Sequence, residues 1–419
     1  MVAFPGNSPP FPMSEHSHST DAASHWRALI GSWGPMTICA ATGFLSAFTL
    51  SIVGQLPIGE LVLLMVLPWV VIKAVHRRGW PCRIQRLGWF KLLVALMGLM
   101  AAGYVVSDLY RGTPGDNLAR GWARIGFLGV DLITISFLVN RSWGRLQVFL
   151  LMLYVGDSVS AMMGELTPED WWKFGIGQTA TALVLFAIAG RNIVVQVVTT
   201  LLMAALSFGL GARSMGGICL LTAGLFGIHY ARGIWRPIAL FGSLGTSVAL
   251  LIAANTIILS NQEHQGSNTE RQSMLETAAE AFITSPLIGQ GSWFTATQML
   301  ARIEERRASL DPKFHHYTPD EARKISIHSQ ILVALAEGGI LGGAFFIGYA
   351  ALLAKTLGTL MRRSVPFVAL NSYIVFTGLW NLMMSPFSGA ARVEIVLIAC
   401  AGLLMILQRQ GELPENFRE

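Results

Sequence analysis

Apolar runs of about 18–25 residues recur along almost the whole chain, and that is the length a helix needs to cross a bilayer. The composition agrees. Of 419 residues, 53% are apolar and only 13% are charged, whereas soluble domains carry roughly 25% charge. The pattern predicts an all-α polytopic membrane protein with about twelve transmembrane helices. Their approximate spans are 31–51, 57–75, 91–110, 125–140, 146–163, 174–190, 193–211, 215–230, 237–260, 328–354, 366–384 and 393–409. Between the ninth and tenth lies one large polar insert, 261–327. The domain reading is therefore a tail over 1–27, a bundle of about nine helices over 28–260, the helical insert, a second helical group over 328–409, and a tail over 410–419.

The net charge of +6 does not point to nucleic acid, because its arginines and lysines cluster in short loops. Cytoplasmic loops carry that excess, so the loop with Arg77, Arg78, Arg83, Arg86 and Lys91 is placed inside. Arg141 and Arg145, Arg191, Arg232 and Arg236, and Arg362 and Arg363 then fall on the same side. The acidic turn Glu165–Asp170 and the insert fall outside, and both termini fall inside. Cys39, Cys82, Cys219 and Cys400 stand singly with no CxxC, which suggests neither a disulfide framework nor a zinc site. The first residues, rich in Pro, Ser and His, lack the basic and apolar blocks of a signal peptide and read as a disordered cytoplasmic tail. No internal repeat is evident, and the insert has no counterpart in the first half, which weakens a transporter reading.

Within the insert, Ser267-Asn268-Thr269-Glu270 fits a capping box. Arg271, Leu275, Ala278 and Phe282 follow on one helical stripe. Arg271 is thus expected in a first helical turn, where free N–H groups and a guanidinium together suit phosphate. The same spacing also fits an arginine snorkelling from a membrane-lying helix. Ser285-Pro286 ends that helix, and Gly289-Gln290-Gly291 makes a tight turn. Gln298–Leu310 sets Met299, Ile303 and Leu310 against Arg302, Arg306 and Arg307, as in an interfacial helix or a plain solvated face.

Thr318-Pro319-Asp320-Glu321 combines an N-cap, a proline at the first helical position and a glutamate at the third. The helix so started is expected to run unbroken into the tenth span, with Lys324 and His328 on one face. A nearby ammonium would keep His328 neutral and able to accept a proton. The alternative is a boundary histidine bonded to a loop carbonyl. Glu337 lies nine residues on, about 900° of rotation and about 13 Å deeper. An intramembrane carboxylate is a functional candidate by default, although a buried packing role is expected here. Gly338xxxGly342 and Gly339xxxGly343 permit close helix contact. Arg213, in the outer hairpin Gly211–Ser214, needs an anion or a lipid headgroup, and Arg392 is a weaker case of the same kind.

As an ordered set, these pieces resemble the O-antigen ligase family of bacterial surface-polysaccharide enzymes. In that family an arginine-bearing element precedes PLxGxGS-like residues, and a histidine opens H-N-x-x-L-x-x-L-x-E-x-G-x-x-G. The counterparts here are Arg271, then Pro286-Leu287-Ile288-Gly289-Gln290-Gly291-Ser292, then His328 through Glu337, Gly339 and Gly342. Ala212-Arg213-Ser214-Met215-Gly216 loosely fits the family's outer arginine motif, and Ser329 stands where the family carries Asn. The match spans about 205–350.

The resemblance implies a C-type glycosyltransferase-like fold in the bacterial inner membrane, with its site facing the periplasm. It implies transfer of a glycan from undecaprenyl diphosphate to a lipid A-core sugar. Arg213 and Arg271 would stabilise the leaving diphosphate, and His328 would act as general base. Arg302, Arg306, Lys324 and Arg392 would contact substrate. Gly289, Gly291, Gly339, Gly342 and Glu337 would shape the site. No DxD-like cluster appears outside, so neither metal nor cofactor is expected. The partners implied are the lipid-linked donor, the lipid A-core acceptor and membrane lipids, with no nucleic acid. An O-antigen polymerase, a protein-glycosylating ligase, a transporter or flippase of lipid-linked glycans, and a membrane scaffold are the rival readings.

Overall fold

A computed structural model describes residues 34–410, apart from 52–54, 165–169, 232, 235–241, 243–244, 246–261, 294–298, 311–326, 362–364, 366 and 388. The described chain is helical except for one short ribbon. Helix α1 spans Gly34–Leu45 and stops well short of the expected residue 51. The antiparallel strands β1 (Thr49–Ser51) and β2 (Gln55–Pro57) follow, with Leu50 opposite Leu56. Then come α2 (Ile58–His76), the single turn α3 (Arg83–Arg86), α4 (Gly88–Arg111), α5 (Gly115–Val139) and α6 (Trp143–Met163). A π-helical turn, Trp171–Ile176, leads into α7 (Gly177–Ala187), followed by α8 (Ile193–Gly209) and α9 (Arg213–Tyr230). The insert contributes α10 (Gln262–Thr284) and α11 (Met299–Leu310). The last group is α12 (Gln330–Gly342), α13 (Ala344–Leu360), α14 (Val368–Met384) and α15 (Gly389–Arg409).

Five helices, α2, α4, α5, α6 and α15, are long and apolar enough to cross a membrane. With α12 and α13 taken as one broken span the described residues hold up to six, and α1, α8 and α14 are shorter apolar helices. The chain is a polytopic helical membrane protein. Burial separates centre from rim. In the most apolar window of α15, 83% of residues are buried, against 22% in α2. Helix α15 is therefore the hub, while α2 turns Met65, Ile72 and Val75 outward, as a lipid-facing surface requires. The expected ninth span, 237–260, lies outside the described residues.

The tenth span is not one helix. It breaks at Gly339–Gly343, where α12 and α13 bend by 108°. Gly339 sits at φ 65°, a conformation that glycine adopts without a Cβ penalty. Nor does a helix enter α12 from the insert, because 327–329 are non-helical and Ser329 is the N-cap, its side chain accepting from Leu332 N. The shared helical face expected for Lys324 and His328 therefore fails at His328; Lys324 itself lies outside the described residues, as does the Thr318 cap. Helix α10 likewise begins at Gln262, ahead of the Ser267 capping box. Arg271 is then mid-helix, with no free backbone N–H groups beside it.

Candidate functional site

The site is built where the insert meets the broken α12–α13 span. After Ser285 and Pro286 stop α10, the chain turns through Gly289 (φ 83°) and Gly291 (φ 89°). This turn bonds to the backbone of α12 at its break. Gln290 N donates to Ala336 O at 2.8 Å, Gly291 N to Glu337 O at 3.0 Å, and Ile340 N returns to Pro286 O at 2.8 Å. A Cβ on Gly289 would overlap the Glu337 carbonyl, and one on Gly339 would overlap that of Leu287. The two glycines are thus required by contact as well as by φ.

Helix α4 receives the same turn from the other side. Ser107 Oγ donates to Glu337 O (2.6 Å) and accepts from Gly291 N (2.9 Å). Asp108 accepts four bonds: from Ser292 N (2.5 Å), Ser292 Oγ (2.8 Å), Trp122 Nε1 (2.8 Å) and Thr113 Oγ1 (2.9 Å). Arg111 donates to Gly289 O (2.9 Å) and Ser285 Oγ (2.7 Å). Beneath the turn, the buried Glu337 carboxylate pairs with Arg124 and accepts from Tyr104 OH (2.9 Å) and Trp293 N (3.0 Å). The Arg124 guanidinium also lies 5.3 Å from the Trp293 ring and 4.9 Å from that of Phe387. Helices α4 and α12 touch closely, since a Cβ on Gly103 would come to 2.7 Å from Gly342 N. Glu337 is thus a buried packing group, and Gly289, Gly291, Gly339 and Gly342 shape the backbone.

Helix α10 carries Arg271 one turn before an apolar stripe. Met274, Ala278 and Ala281 pack with Ile303 of α11, Ile327, and Val333 and Ala336 of α12. Gln290 ties the far ends, bonding Ala336 O through its N–H and Ala281 O through its side chain (3.1 Å). Arg271 lies one turn before Met274 and His328 directly follows Ile327, so both residues flank this apolar cluster. His328 is half-buried in the non-helical link, and Ser329 Oγ donates to Leu382 O (3.4 Å) near the end of α14.

Arg271 also reaches two other cations. It lies in electrostatic range of Arg213, at the start of α9, and of Lys173 in the π-helical turn. Burial first and the Arg271 charge second hold both groups below their ordinary values, and Asp170 opposes this at Lys173 while Arg213 adds to it. Three clustered cations, partly desolvated and mutually repelling, form a site that a multivalent anion would relieve. Lys173 in addition lines a cavity of about 390 Å³ with Tyr154, Asp157, Ser160, Gln178 and Thr179. Glu394 closes the region behind it, accepting from Tyr154 OH (3.0 Å), Gln178 Nε2 (3.1 Å) and Asn381 Nδ2 (2.8 Å). Asn381 neighbours Leu382, so the end of α14 links the His328 segment to this cavity.

Arg392 does not join the cluster. It is buried and bidentate with Glu60, at 2.7 Å on both oxygens, so the expected substrate contact is replaced by an internal ion pair. Arg302 and Arg306 belong to α11, but their side chains lie outside the described residues. Lys173, Asp157, Asp108 and Arg124 were missed from sequence. The available signals were a lysine beside the acidic turn expected outside, against the loop-charge bias, and carboxylates within apolar spans.

No curated protein matches the chain. Residues 198–347, which include Arg213, Arg271, the glycine turn and His328, match the family model described as O-Antigen ligase. Across that stretch the chain carries the domain of the O-antigen ligase family.

Proposed function

We propose that this protein transfers a polysaccharide from undecaprenyl diphosphate to a sugar hydroxyl of the lipid A core, without a metal, on the periplasmic side of the bacterial inner membrane. The observation that carries the reading is the convergence of Arg271 with Arg213 and Lys173, with Arg271 and His328 both flanking the apolar cluster that joins α10 to α12. In the reaction the acceptor hydroxyl gives its proton to the His328 imidazole. The oxygen forms a bond to the donor's anomeric carbon as the carbon–oxygen bond to phosphate breaks, and the diphosphate leaves with the electron pair. Cations fixed beside the departing oxygens stabilise the charge as it develops. A positioned general base adds about 10²–10⁴-fold.

The periplasmic placement rests on the loop-charge bias and on the sequence expectation of about twelve spans with both termini inside. A transporter reading would give an intramembrane ionisable group such as Glu337 a mobile role. Its pairing with Arg124, and its bonds to Tyr104 and Trp293, favour the enzyme.

The test uses the purified full chain with lipid-linked donor and lipid A-core. Label appearing on the core supports a ligase, whereas elongation on undecaprenyl diphosphate supports a polymerase. Both His328→Ala and Arg271→Ala should lose transfer while eluting as folded protein. Full ligation by both variants would overturn the assignment.

A further inference from the structure

The cavity beside Lys173 is polar, although it is formed by helices of an otherwise apolar bundle. Its walls are held by internal bonds. Ser158 Oγ bonds to Gly175 O (3.1 Å) and to Thr179 Oγ1 (2.6 Å), and Thr179 Oγ1 donates to Tyr154 O (2.5 Å). The Tyr154 hydroxyl and one Gln178 amide N–H are spent on Glu394. The wall also keeps open acceptors. The Asp157 carboxylate receives no hydrogen bond among the described residues, and the Gln178 side-chain oxygen likewise faces no donor. A π-helical turn supplies Lys173, Phe174 and Gly175 to the rim, and such turns are frequent at functional sites.

A ligand held by the cations would have two groups bonded to its phosphates, a prenyl chain and a sugar. The prenyl chain offers no donor to open acceptors, and a polar wall would cost it solvation. A sugar presents a ring of hydroxyl donors. The cavity, about 390 Å³, lies at the small end of ligand pockets. We propose that this cavity binds the sugar ring bonded directly to the donor phosphate and that Asp157 accepts hydrogen bonds from its hydroxyls. The inference rests on the anion role given above to Lys173, Arg213 and Arg271.

The probes are farnesyl diphosphate and the same lipid bearing one glucose on its terminal phosphate. Each is titrated against the purified full chain in detergent. Asp157→Ala should weaken the glucosyl ligand about tenfold, the loss expected for a charged hydrogen bond, and leave farnesyl diphosphate within about twofold. The near-isosteric Asp157→Asn, matched to wild type in melting temperature, should weaken the glucosyl ligand less than Asp157→Ala does, because its amide oxygen still accepts.

Equal weakening of both ligands in Asp157→Ala would mean that Asp157 only supports the fold. No change for the glucosyl ligand would put the sugar elsewhere. Either result overturns the inference while leaving the anion role standing. If wild type binds neither ligand, the anion role itself fails and this inference falls with it.

Discussion

Replacing Arg124 with methionine should release the insert from the bundle. The Arg124 and Glu337 side chains are 6% and 2% exposed, so water cannot take the place of the lost guanidinium. Glu337 would keep only Tyr104 OH and Trp293 N as donors. Breaking a buried pair by deleting one partner costs about 3–5 kcal/mol. At about 1.4 kcal/mol per tenfold, the docking equilibrium falls by roughly two to three and a half orders of magnitude. Hydrogen exchange on the protein in nanodiscs reads this directly at Gln290 and Gly291, whose amides donate to Ala336 O and Glu337 O. Their protection should drop by about that factor, up to the limit set by global unfolding. Amides of α8 should stay unchanged. Adding Glu337→Gln to Arg124→Met should restore much of the protection, because the buried charge is then gone. Unchanged exchange at Gly291 in the single variant, or a double variant no better than the single, would refute the reasoning.

Three further outcomes are expected. Burial and the Arg271 charge lower Lys173 from 10.5, and only its ammonium attracts an anion, so farnesyl diphosphate affinity should weaken as pH rises from 7 towards lysine's ordinary range. Lys173→Arg should flatten that profile, and a pH-independent wild type would contradict it. Arg392→Leu leaves Glu60 buried without its bidentate partner, so it should cost about 3–5 kcal/mol, read as a lower melting temperature with donor affinity unchanged. Lost affinity at an unchanged melting temperature would return Arg392 to the substrate. Gly339→Ala should reduce folded yield sharply, because its φ of 65° and the Leu287 carbonyl both oppose a Cβ, whereas Gly98→Ala, facing open space in α4, should be neutral or mildly stabilising.

The helical membrane class and the positions of most described helices were legible because hydropathy sets both directly, although only five or six of them are long and apolar enough to be spans, against the twelve expected. The glycine turn, Gly339 and buried Glu337 were legible as features, but their mutual contacts were not. Those contacts join residues far apart in the chain, 44 positions for Trp293 with Glu337 and 184 for Ser107 with Gly291, and no local spacing reports them. Local rules also misled where tertiary bonds prevailed. The Ser267 capping box starts no helix, since α10 is already under way at Gln262. The path from Thr318 to residue 354 looked continuous because nothing in the apolar pattern marks a 108° bend. Arg392 looked available for substrate because Glu60, its partner, lies 332 positions away.

The bonds between the 285–291 turn and the break in α12 carry a consequence for domain exchange. A water-side segment here completes the backbone bonding of a helix broken within the bundle. Grafting the insert of a relative onto this scaffold, cut at its apparent edges, would orphan the Ala336 carbonyl and leave that of Glu337 to Ser107 Oγ alone, in a place with no solvent to accept the loss. A workable chimera must carry residues 285–293 together with Ser107, Asp108 and Arg111 of α4. The unit of inheritance is this clasp with its seat, and the polar segment alone is not transferable.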